Sequence, residues 1–539
     1  MNESVATPTA PPAASTTPLN VRPLPATVVA SRRLIHIGPF SLAVTLWVAV
    51  AVMVYALLMT PVAEGNRGLM NLTESVGALE RVALWQRAFS WLPGLNPSEG
   101  SIGWPPFVLN WTVRLCLVVL FALHAAAFWR CWSGGAEGAL WRWLIGPIGA
   151  HLLMLGFVPS NADVFYYAIS GDLANSGANP YAYPLVYFPG NPLYPYNHWV
   201  DMTAVYGPIW TALNQAIVAV SGPDPVAAVI SFKLFLGASA IALALFVAWF
   251  AGRLTGSRRL GLAAGVFVVW QPNLILESSG QAHNDAVMLL LATAGMALAV
   301  LGGISGLRGG LILLAASVAI KYVTLPLLGL LALARLADVR RTGVAGLARA
   351  WALDGLAVSA VWIAAFAPYW VGPRTFAEMV TEPGRNFSNP VWLLPYLIAR
   401  WSIGDVVDPI FFGGLRALML VGTLALVSWL LLRFGRRMLD GRRRSWMPRT
   451  GSRPSDLPWW TGPLLCSWTA IMAALAFLPV NVHAWYWTWP VVPIALLVAI
   501  RAAGSTLDGV DLALPRWFWG YLLFSAAMTL VYHTRVVHI

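Results

Sequence analysis

Charged residues, cysteine and lysine are all scarce in this 539-residue sequence. Only 10% of the residues are Asp, Glu, Lys or Arg, against about 25% in a typical soluble domain, which argues against an ordinary water-soluble protein. The three cysteines, Cys116, Cys131 and Cys466, show no disulfide or metal-ligand spacing, so we interpret them as packing residues. The sequence also has no Gly-rich phosphate loop and no Asp-x-Asp pair, so the usual motifs of nucleotide and nucleotide-sugar chemistry are missing.

Apolar residues fill the sequence instead. They make up 58% of it, with 28 Trp, and they recur in runs of about 17–25 residues, the length needed to cross a bilayer. This pattern predicts an all-α polytopic membrane protein with about thirteen transmembrane helices. The predicted spans are 40–60, 107–129, 143–158, 226–251, 260–276, 287–302, 351–370, 411–432, 463–478, 489–500 and 517–531.

Two further segments need a different interpretation. Residues 311–335 contain Lys321 and Pro326 inside an apolar run, which predicts a broken pair of half-length helices rather than one span. Residues 209–220 predict an amphipathic helix lying at the membrane interface.

The net charge of +12 comes from Arg clusters between spans, at 253–259, 335–349 and 433–453. By the positive-inside rule these loops are cytoplasmic. The topology then places a basic loop at 433–459 inside, the loop at 159–225 outside and the C-terminus outside. No cleavable signal peptide is evident in residues 1–30, which predict a disordered cytoplasmic tail, and residues 31–539 are predicted to form a single transmembrane domain.

The segment 161–181 places two carboxylates, Asp163 and Asp172, among tyrosines and amides directly after an apolar run. A carboxylate at the rim of a span is costly unless it is paired, hydrated or functional. We therefore predict an external catalytic loop in which Asp163 is the catalytic carboxylate. The alternative is that Asp163 caps the start of a helix.

Glu277, His283, Asn284 and Asp285 fall within nine residues, between two predicted spans. Their donors and acceptors suit sugar hydroxyls, whereas the alternative is that Asn284 and Asp285 only cap the next helix.

Lys321 is one of two lysines and lies in an apolar run, so it needs an anionic partner. That partner is either a lipid phosphate or, in a purely structural role, Asp285 or Glu277. His483 and Tyr486 lie in an aromatic stretch that is typical of a membrane-interface belt, although a histidine there can also contact phosphate.

The predicted topology brings all these polar residues to the outer side of the membrane. A transporter more often holds such groups near the midplane of the bilayer, on interrupted helices. An outer-rim cluster favours chemistry between a lipid substrate and an aqueous one.

Six short motifs follow one another on this side: Asp163-Val-Phe-Tyr-Tyr, Asn179-Pro-Tyr, Tyr206-Gly-Pro-Ile-Trp, His283-Asn-Asp-Ala, Ile320-Lys-Tyr and His483-Ala-Trp-Tyr. Their order resembles the GT-C glycosyltransferases, and more narrowly the bacterial polyprenyl-phosphomannose-dependent α-mannosyltransferases, which include the actinobacterial α-1,6-mannosyltransferases of lipomannan synthesis. The resemblance covers residues 140–500. Two positions depart from the pattern: Val323 replaces a proline after Lys321-Tyr322, and Gln281-Ala282 replaces Gly-Gly before His283.

The resemblance implies an inverting transfer of a mannosyl residue from a polyprenyl-phosphate donor to a glycan or glycolipid acceptor, on the external face of a bacterial cytoplasmic membrane. Asp163 takes the role of catalytic base. The predicted substrate-binding residues are Tyr166, Asp172, Tyr206, Glu277, His283, Asn284, Asp285, Lys321, Arg385, His483 and Tyr486. We identify no cofactor and expect no nucleic-acid partner; Asp163 and Asp172 lie nine positions apart with no supporting ligand pattern, so no metal site is argued and a divalent metal stays open. The alternatives are a GT-C enzyme for another sugar, such as arabinose or glucose, and a lipid or solute transporter.

Overall fold

The computed structural model describes residues 38–59, 78–93, 95, 105–133, 140–381, 389–441, 457–479, 481–505 and 514–534. These residues are helical or irregular, without a β-strand, and one isolated bridge joins Val371 to Pro373. An all-helical fold is therefore confirmed for the described part of the chain. The predicted tail at 1–30 lies outside it.

The helices are labelled in chain order. They are α1 (Pro39–Leu58), α2 (Ala78–Ala88), α3 (Pro106–Trp132), α4 (Trp141–Leu153), α5 (Asp163–Asn175), α6 (Pro208–Ser221), α7 (Pro225–Thr255), α8 (Arg258–Val269), α9 (Pro272–Ile275), α10 (Asp285–Leu301), α11 (Gly303–Val318), α12 (Leu325–Ala334), α13 (Val339–Phe366), α14 (Ala377–Thr381), α15 (Pro390–Ile403), α16 (Val407–Pro409), α17 (Arg416–Asp440), α18 (Thr461–Phe477), α19 (Val491–Ser505) and α20 (Arg516–Thr534).

Among the described residues, six helical segments are long and apolar enough to cross a membrane, or up to seven if one bent pair counts as a span. The six are Pro39–Leu58, Phe107–Trp132, Pro225–Thr255, Thr342–Tyr369, Gly413–Asp440 and Ala484–Ala503. Three shorter apolar helices, Asp285–Leu301, Ser305–Val318 and Thr461–Phe477, fall short of that length; the first and third coincide with predicted spans, and the second overlaps the predicted broken pair at 311–335. A polytopic helical membrane protein is thus supported, and the count of about thirteen stays a prediction.

The bent pair corrects the predicted span at 260–276. Helix α8 ends at Val269, the chain turns by 55°, and α9 continues into a π-helical turn at Leu276–Gly280. Pro272 begins α9, and a proline cannot donate the backbone hydrogen bond that would continue α8. The bend leaves Glu277 on a π-helical turn, a rare conformation often found at functional sites.

The break predicted within 311–335 is confirmed. Helix α11 ends at Val318, Lys321 is extended, a 3₁₀ turn covers Tyr322–Thr324, and α12 begins at Leu325. The helix predicted at 209–220 is also present, as α6.

The interpretation of 161–181 as a loop is wrong in its first part, because residues 163–175 form α5. Asp172 comes nine positions after Asp163, which puts the two about 13.5 Å apart along the helix axis and on opposite faces. The predicted loop at 433–459 also begins too early, since α17 runs on to Asp440 and carries Arg433, Arg436 and Arg437. Residues 442–456 of that loop lie outside the described residues.

Close helix packing builds the scaffold around the site. Helices α10 and α11 form a tight pair, and a Cβ on Gly295 would lie 2.8 Å from the Gly310 carbonyl oxygen. Glycine therefore permits a backbone approach that a larger residue would block, as is common between helices in membranes. Helix α5 packs on α6 and on α7.

Candidate active site

Asp163 is the first residue of α5, but its side chain does not cap that helix. The carboxylate instead accepts hydrogen bonds from Trp199 Nε1 at 2.9 Å and from the Tyr206 hydroxyl at 2.8 Å. Its side chain is 9% exposed. The geometry therefore describes an acid held by two specific donors, rather than the helix cap considered as the alternative.

Tyr206 lies between the carboxylate and the lysine of the site. Burial, followed by the charge of Asp163, raises the pKa of Tyr206 well above its usual value. The hydroxyl therefore keeps its proton at neutral pH and remains a donor to Asp163. The Tyr206 ring is also 5.6 Å from Lys321 Nζ.

Gly207, which follows Tyr206, is hydrogen-bonded to the backbone at the break between α11 and α12. Gly207 N donates to the Ile320 carbonyl at 3.0 Å, and Ile209 N donates to the Ala319 carbonyl at 3.0 Å. A Cβ on Gly207 would lie 2.1 Å from the Ala319 carbonyl oxygen, so this contact requires glycine.

His283 links two carboxylates. Its Nδ1 lies 2.9 Å from Glu277 Oε2, and its Nε2 lies 3.7 Å from Asp163 Oδ2. The π-helical turn brings Glu277 to this position, where its carbonyl also accepts from His283 N at 2.7 Å. Glu277 thereby fixes the orientation of the imidazole beside Asp163.

Ala282, just before His283, has a φ of 62°. Glycine adopts this left-handed conformation freely, but alanine does so at a cost of about 1–2 kcal/mol. The departure from Gly-Gly noted in the sequence thus coincides with a strained residue, and strained backbone persists only where the surrounding structure enforces it.

Lys321 forms an ion pair with Asp285, with Nζ 2.8 Å from Oδ1. The same oxygen accepts from Trp489 Nε1 at 2.6 Å. The structural alternative for Lys321 is therefore realised with Asp285 as the partner, yet the lysine side chain keeps 12% of its surface exposed.

Aromatic rings surround this ammonium group. The rings of Tyr206, Tyr486 and Trp489 lie 5.6 Å from Lys321 Nζ, and that of Trp485 lies 6.0 Å away. At these distances each ring face attracts a cation. The lysine is therefore held in place by one carboxylate and four ring faces.

Trp485 is stacked between two histidines, with its ring centroid 3.7 Å from that of His283 and 4.3 Å from that of His483. His483 Nδ1 lies 3.0 Å from the Tyr532 hydroxyl. Burial lowers the pKa of His483 to about 4, so this residue is neutral at physiological pH. A phosphate contact of His483 stays a prediction, and with a neutral ring it would be a hydrogen bond rather than an ion pair.

Asn284 is fully buried, and neither its Nδ2 nor its Oδ1 has a hydrogen-bond partner within the described structure. It occupies the N-cap position of α10 without a side-chain cap bond, so the capping alternative is not realised there.

Three predicted residues lie away from this cluster or cannot be placed in it. Asp172 accepts from Asn191 Nδ2 at 2.6 Å, toward the other end of α5. Tyr166 is buried and donates to the Thr203 carbonyl at 2.6 Å. Arg385 lies outside the described residues.

Sequence reasoning missed Trp199 and Trp489, which donate to Asp163 and Asp285, because Trp is common throughout the chain. It also missed Arg81, a buried cation on α2. The available signal was an arginine one turn before Trp85 on a short helix. Among the described residues, no group of three or more His, Cys, Asp or Glu side chains is arranged to hold a metal ion.

Comparison with known proteins agrees with the motif order. Residues 106–337 match the family model described as "Alpha-(1->6)-mannopyranosyltransferase, N-terminal domain". Over these residues the chain is similar to the α-(1→6)-mannopyranosyltransferases. The matched segment contains Asp163, Tyr206, the π-helical turn and Lys321.

Three curated relatives extend the comparison. Alpha-(1->6)-mannopyranosyltransferase A of Corynebacterium glutamicum is 24% identical over 333 residues, covering 56% of this chain and 65% of that protein. The Mycobacterium tuberculosis protein of the same name is 26% identical over 377 residues, covering 67% of this chain and 66% of that protein. A probable alpha-(1->6)-mannopyranosyltransferase of Mycolicibacterium smegmatis is 26% identical over 398 residues, covering 64% of each. The chain thus spans just under two thirds of the length of these relatives.

Proposed function

We propose that this protein is an inverting glycosyltransferase that moves a mannosyl residue from a polyprenyl-phosphate donor to a glycan or glycolipid acceptor. The relatives support the sugar and the type of reaction. The observation that carries the proposal is the position of Tyr206, which donates to the carboxylate of Asp163 and also lies against the ammonium of Lys321. Asp163 as the base and Lys321 as the cation thus both contact Tyr206.

A carboxylate and an ammonium group on one tyrosine suit a displacement at an anomeric carbon. The acceptor hydroxyl gives its proton to Asp163 while its oxygen forms the new bond to that carbon. The bond from the carbon to the phosphate oxygen breaks on the opposite side, and Lys321 stabilises the negative charge of the departing lipid phosphate. A single displacement inverts the configuration, so a β-linked donor gives an α-linked product.

We expect the purified protein to consume polyprenyl-phosphomannose and to extend a mannoside acceptor by one residue, measured by mass spectrometry of the products. Donors carrying arabinose or glucose in place of mannose serve as matched controls. If arabinose or glucose is transferred in place of mannose, the sugar is wrong but the reaction class stands. A transporter would leave every donor unconsumed.

The proposal places the cluster on the external face of the cytoplasmic membrane and the N-terminus inside. We expect single cysteines introduced into a cysteine-free background to respond accordingly. Ala182→Cys lies in the exposed segment after α5 and should react with a membrane-impermeant maleimide on intact cells. Arg258→Cys, exposed at the start of α8, should react only after the cells are opened. The reverse pattern would contradict the topology.

A further inference from the structure

We propose that Arg81 is a positioning residue for the Asp163 carboxylate, an inference that rests on the proposed role of Asp163 as the base. Arg81 lies on α2, outside the residues that the family model matches, and it is fully buried. Burial lowers its pKa to about 10, so the guanidinium stays charged at neutral pH.

The guanidinium group joins two backbone segments that are far apart in sequence. Its Nε donates to the Pro159 carbonyl at 3.2 Å and its Nη2 to the Ser160 carbonyl at 3.1 Å. Its Nη1 donates to the Tyr196 carbonyl at 2.9 Å. The planar arrangement of its donors lets one arginine hold both segments, which a lysine ammonium cannot reproduce.

Each of these segments delivers one part of the Asp163 site. Pro159 and Ser160 lead directly into Asn161, whose Oδ1 accepts from Asp163 N at 3.1 Å at the start of α5. Tyr196 lies three residues before Trp199, which donates to Asp163 Oδ1. Arg81 therefore holds the segment that carries the carboxylate and the segment that carries one of its donors at the same time.

Gln281 holds the same turn through its amide groups. Its Oε1 accepts from Ser160 N at 2.9 Å and from Asn161 N at 3.3 Å, while its Nε2 donates to Ser160 Oγ at 2.6 Å. Arg81 binds the carbonyl groups of this turn and Gln281 binds its N–H groups. Gln281 stands two residues before His283, so the turn is tied to the histidine that faces Asp163.

The remainder of α2 supports the turn from the same side. Trp85, one helical turn after Arg81, donates from Nε1 to the Leu155 carbonyl at 3.2 Å. Lys233 Nζ donates to the carbonyls of Met154, Leu155 and Phe157 and lies 5.0 Å from the Trp85 ring. The segment 154–160 is therefore anchored along its length, and Arg81 together with Gln281 holds the end that leads to Asp163.

We expect Arg81→Gln to lower kcat about 100-fold while KM for the donor stays unchanged, because a displacement of the base by about 1 Å has that effect on rate. Arg81→Lys keeps the charge near Asp163 but cannot bond both segments, so its kcat should lie closer to that of Arg81→Gln than to the wild type. Arg87→Gln makes the same chemical change at an exposed position of the same helix and should leave kcat unchanged.

Hydrogen exchange gives a second readout that does not require transferase activity. In Arg81→Gln the amides of residues 160–163 and 197–199 should exchange about tenfold faster or more, because bonds to a charged donor are lost there. Exchange within α6 should not change. Gln281→Ala should accelerate exchange at 160–161 in the same way and lower kcat, which keeps the test open if Arg81→Gln does not fold.

These measurements separate the two proposals. A wild type that transfers no sugar, combined with faster exchange in Arg81→Gln, would overturn the proposed function and leave the anchoring intact. An active wild type with full activity in Arg81→Lys would show that charge alone is needed and would overturn the positioning role. A normal kcat in folded Arg81→Gln would also overturn it.

Discussion

Replacing Asp163 by asparagine should reduce turnover by about 10²–10⁴, the range typical of general-base catalysis, while the protein stays folded. The amide can keep both present contacts, because its oxygen accepts from Trp199 and its nitrogen can donate to the Tyr206 oxygen. What is lost is the basicity of the carboxylate. The measurement is the steady-state rate of transfer from polyprenyl-phosphomannose, the proposed donor. Binding of that donor, measured separately, should survive.

Asp172→Asn is the matched control, because it removes a carboxylate from the same helix at a position bonded to Asn191. Its effect should be small. An inactive Asp172→Asn beside a fully active Asp163→Asn would mean that the wrong carboxylate was chosen. Full activity in both variants would remove α5 from the chemistry.

Replacing Lys321 by methionine should destabilise the protein and also abolish transfer. The change leaves Asp285 buried and without its ion-pair partner, which typically costs about 3–5 kcal/mol of unfolding free energy. Thermal unfolding in detergent measures this loss. Because low stability alone could explain low activity, the single variant cannot assign a role to the lysine.

The double variant Lys321→Met/Asp285→Asn resolves this by removing both charges. The double variant should regain most of the stability that Lys321→Met loses, because it no longer buries an unpaired charge. If Lys321 also stabilises the departing phosphate, the stable double variant should still be at least about 100-fold slower than the wild type. Recovery of wild-type turnover would show that the ion pair is only structural.

The sequence predicted those parts of the fold that depend on local signals. The apolar runs predicted helices, Pro326 with Lys321 predicted the break at 319–324, and the amphipathic pattern predicted α6. The bend after Val269 was missed although Pro272 marks it, because the surrounding apolar residues were interpreted as one span. A helix beginning at Asp163 was given only as the alternative, because the tyrosines and short polar residues of α5 resemble those of a loop.

The sequence predicted the motifs of the candidate site but not the contacts between their side chains. Asp163, His283 and Lys321 were each singled out by a polar side chain in an apolar setting. Asp285 was named as a structural partner of Lys321. Trp199 and Arg81 were not named, since Trp199 is distant from Asp163 in sequence and Arg81 more so. Contacts of this kind depend on how helices pack, which one sequence with weak motifs does not specify.

The backbone bonds from Gly207 and Ile209 to Ile320 and Ala319 have a mechanical consequence. The peptide that presents Tyr206 and the peptide that presents Lys321 form a single joint, so neither can be displaced without the other. If the proposed lipid donor enters beside Lys321 and shifts this break, we expect Tyr206 to move with it and to disturb one of the two donors that hold Asp163. Binding of the proposed donor phosphate would in this way be coupled to the position of the proposed base.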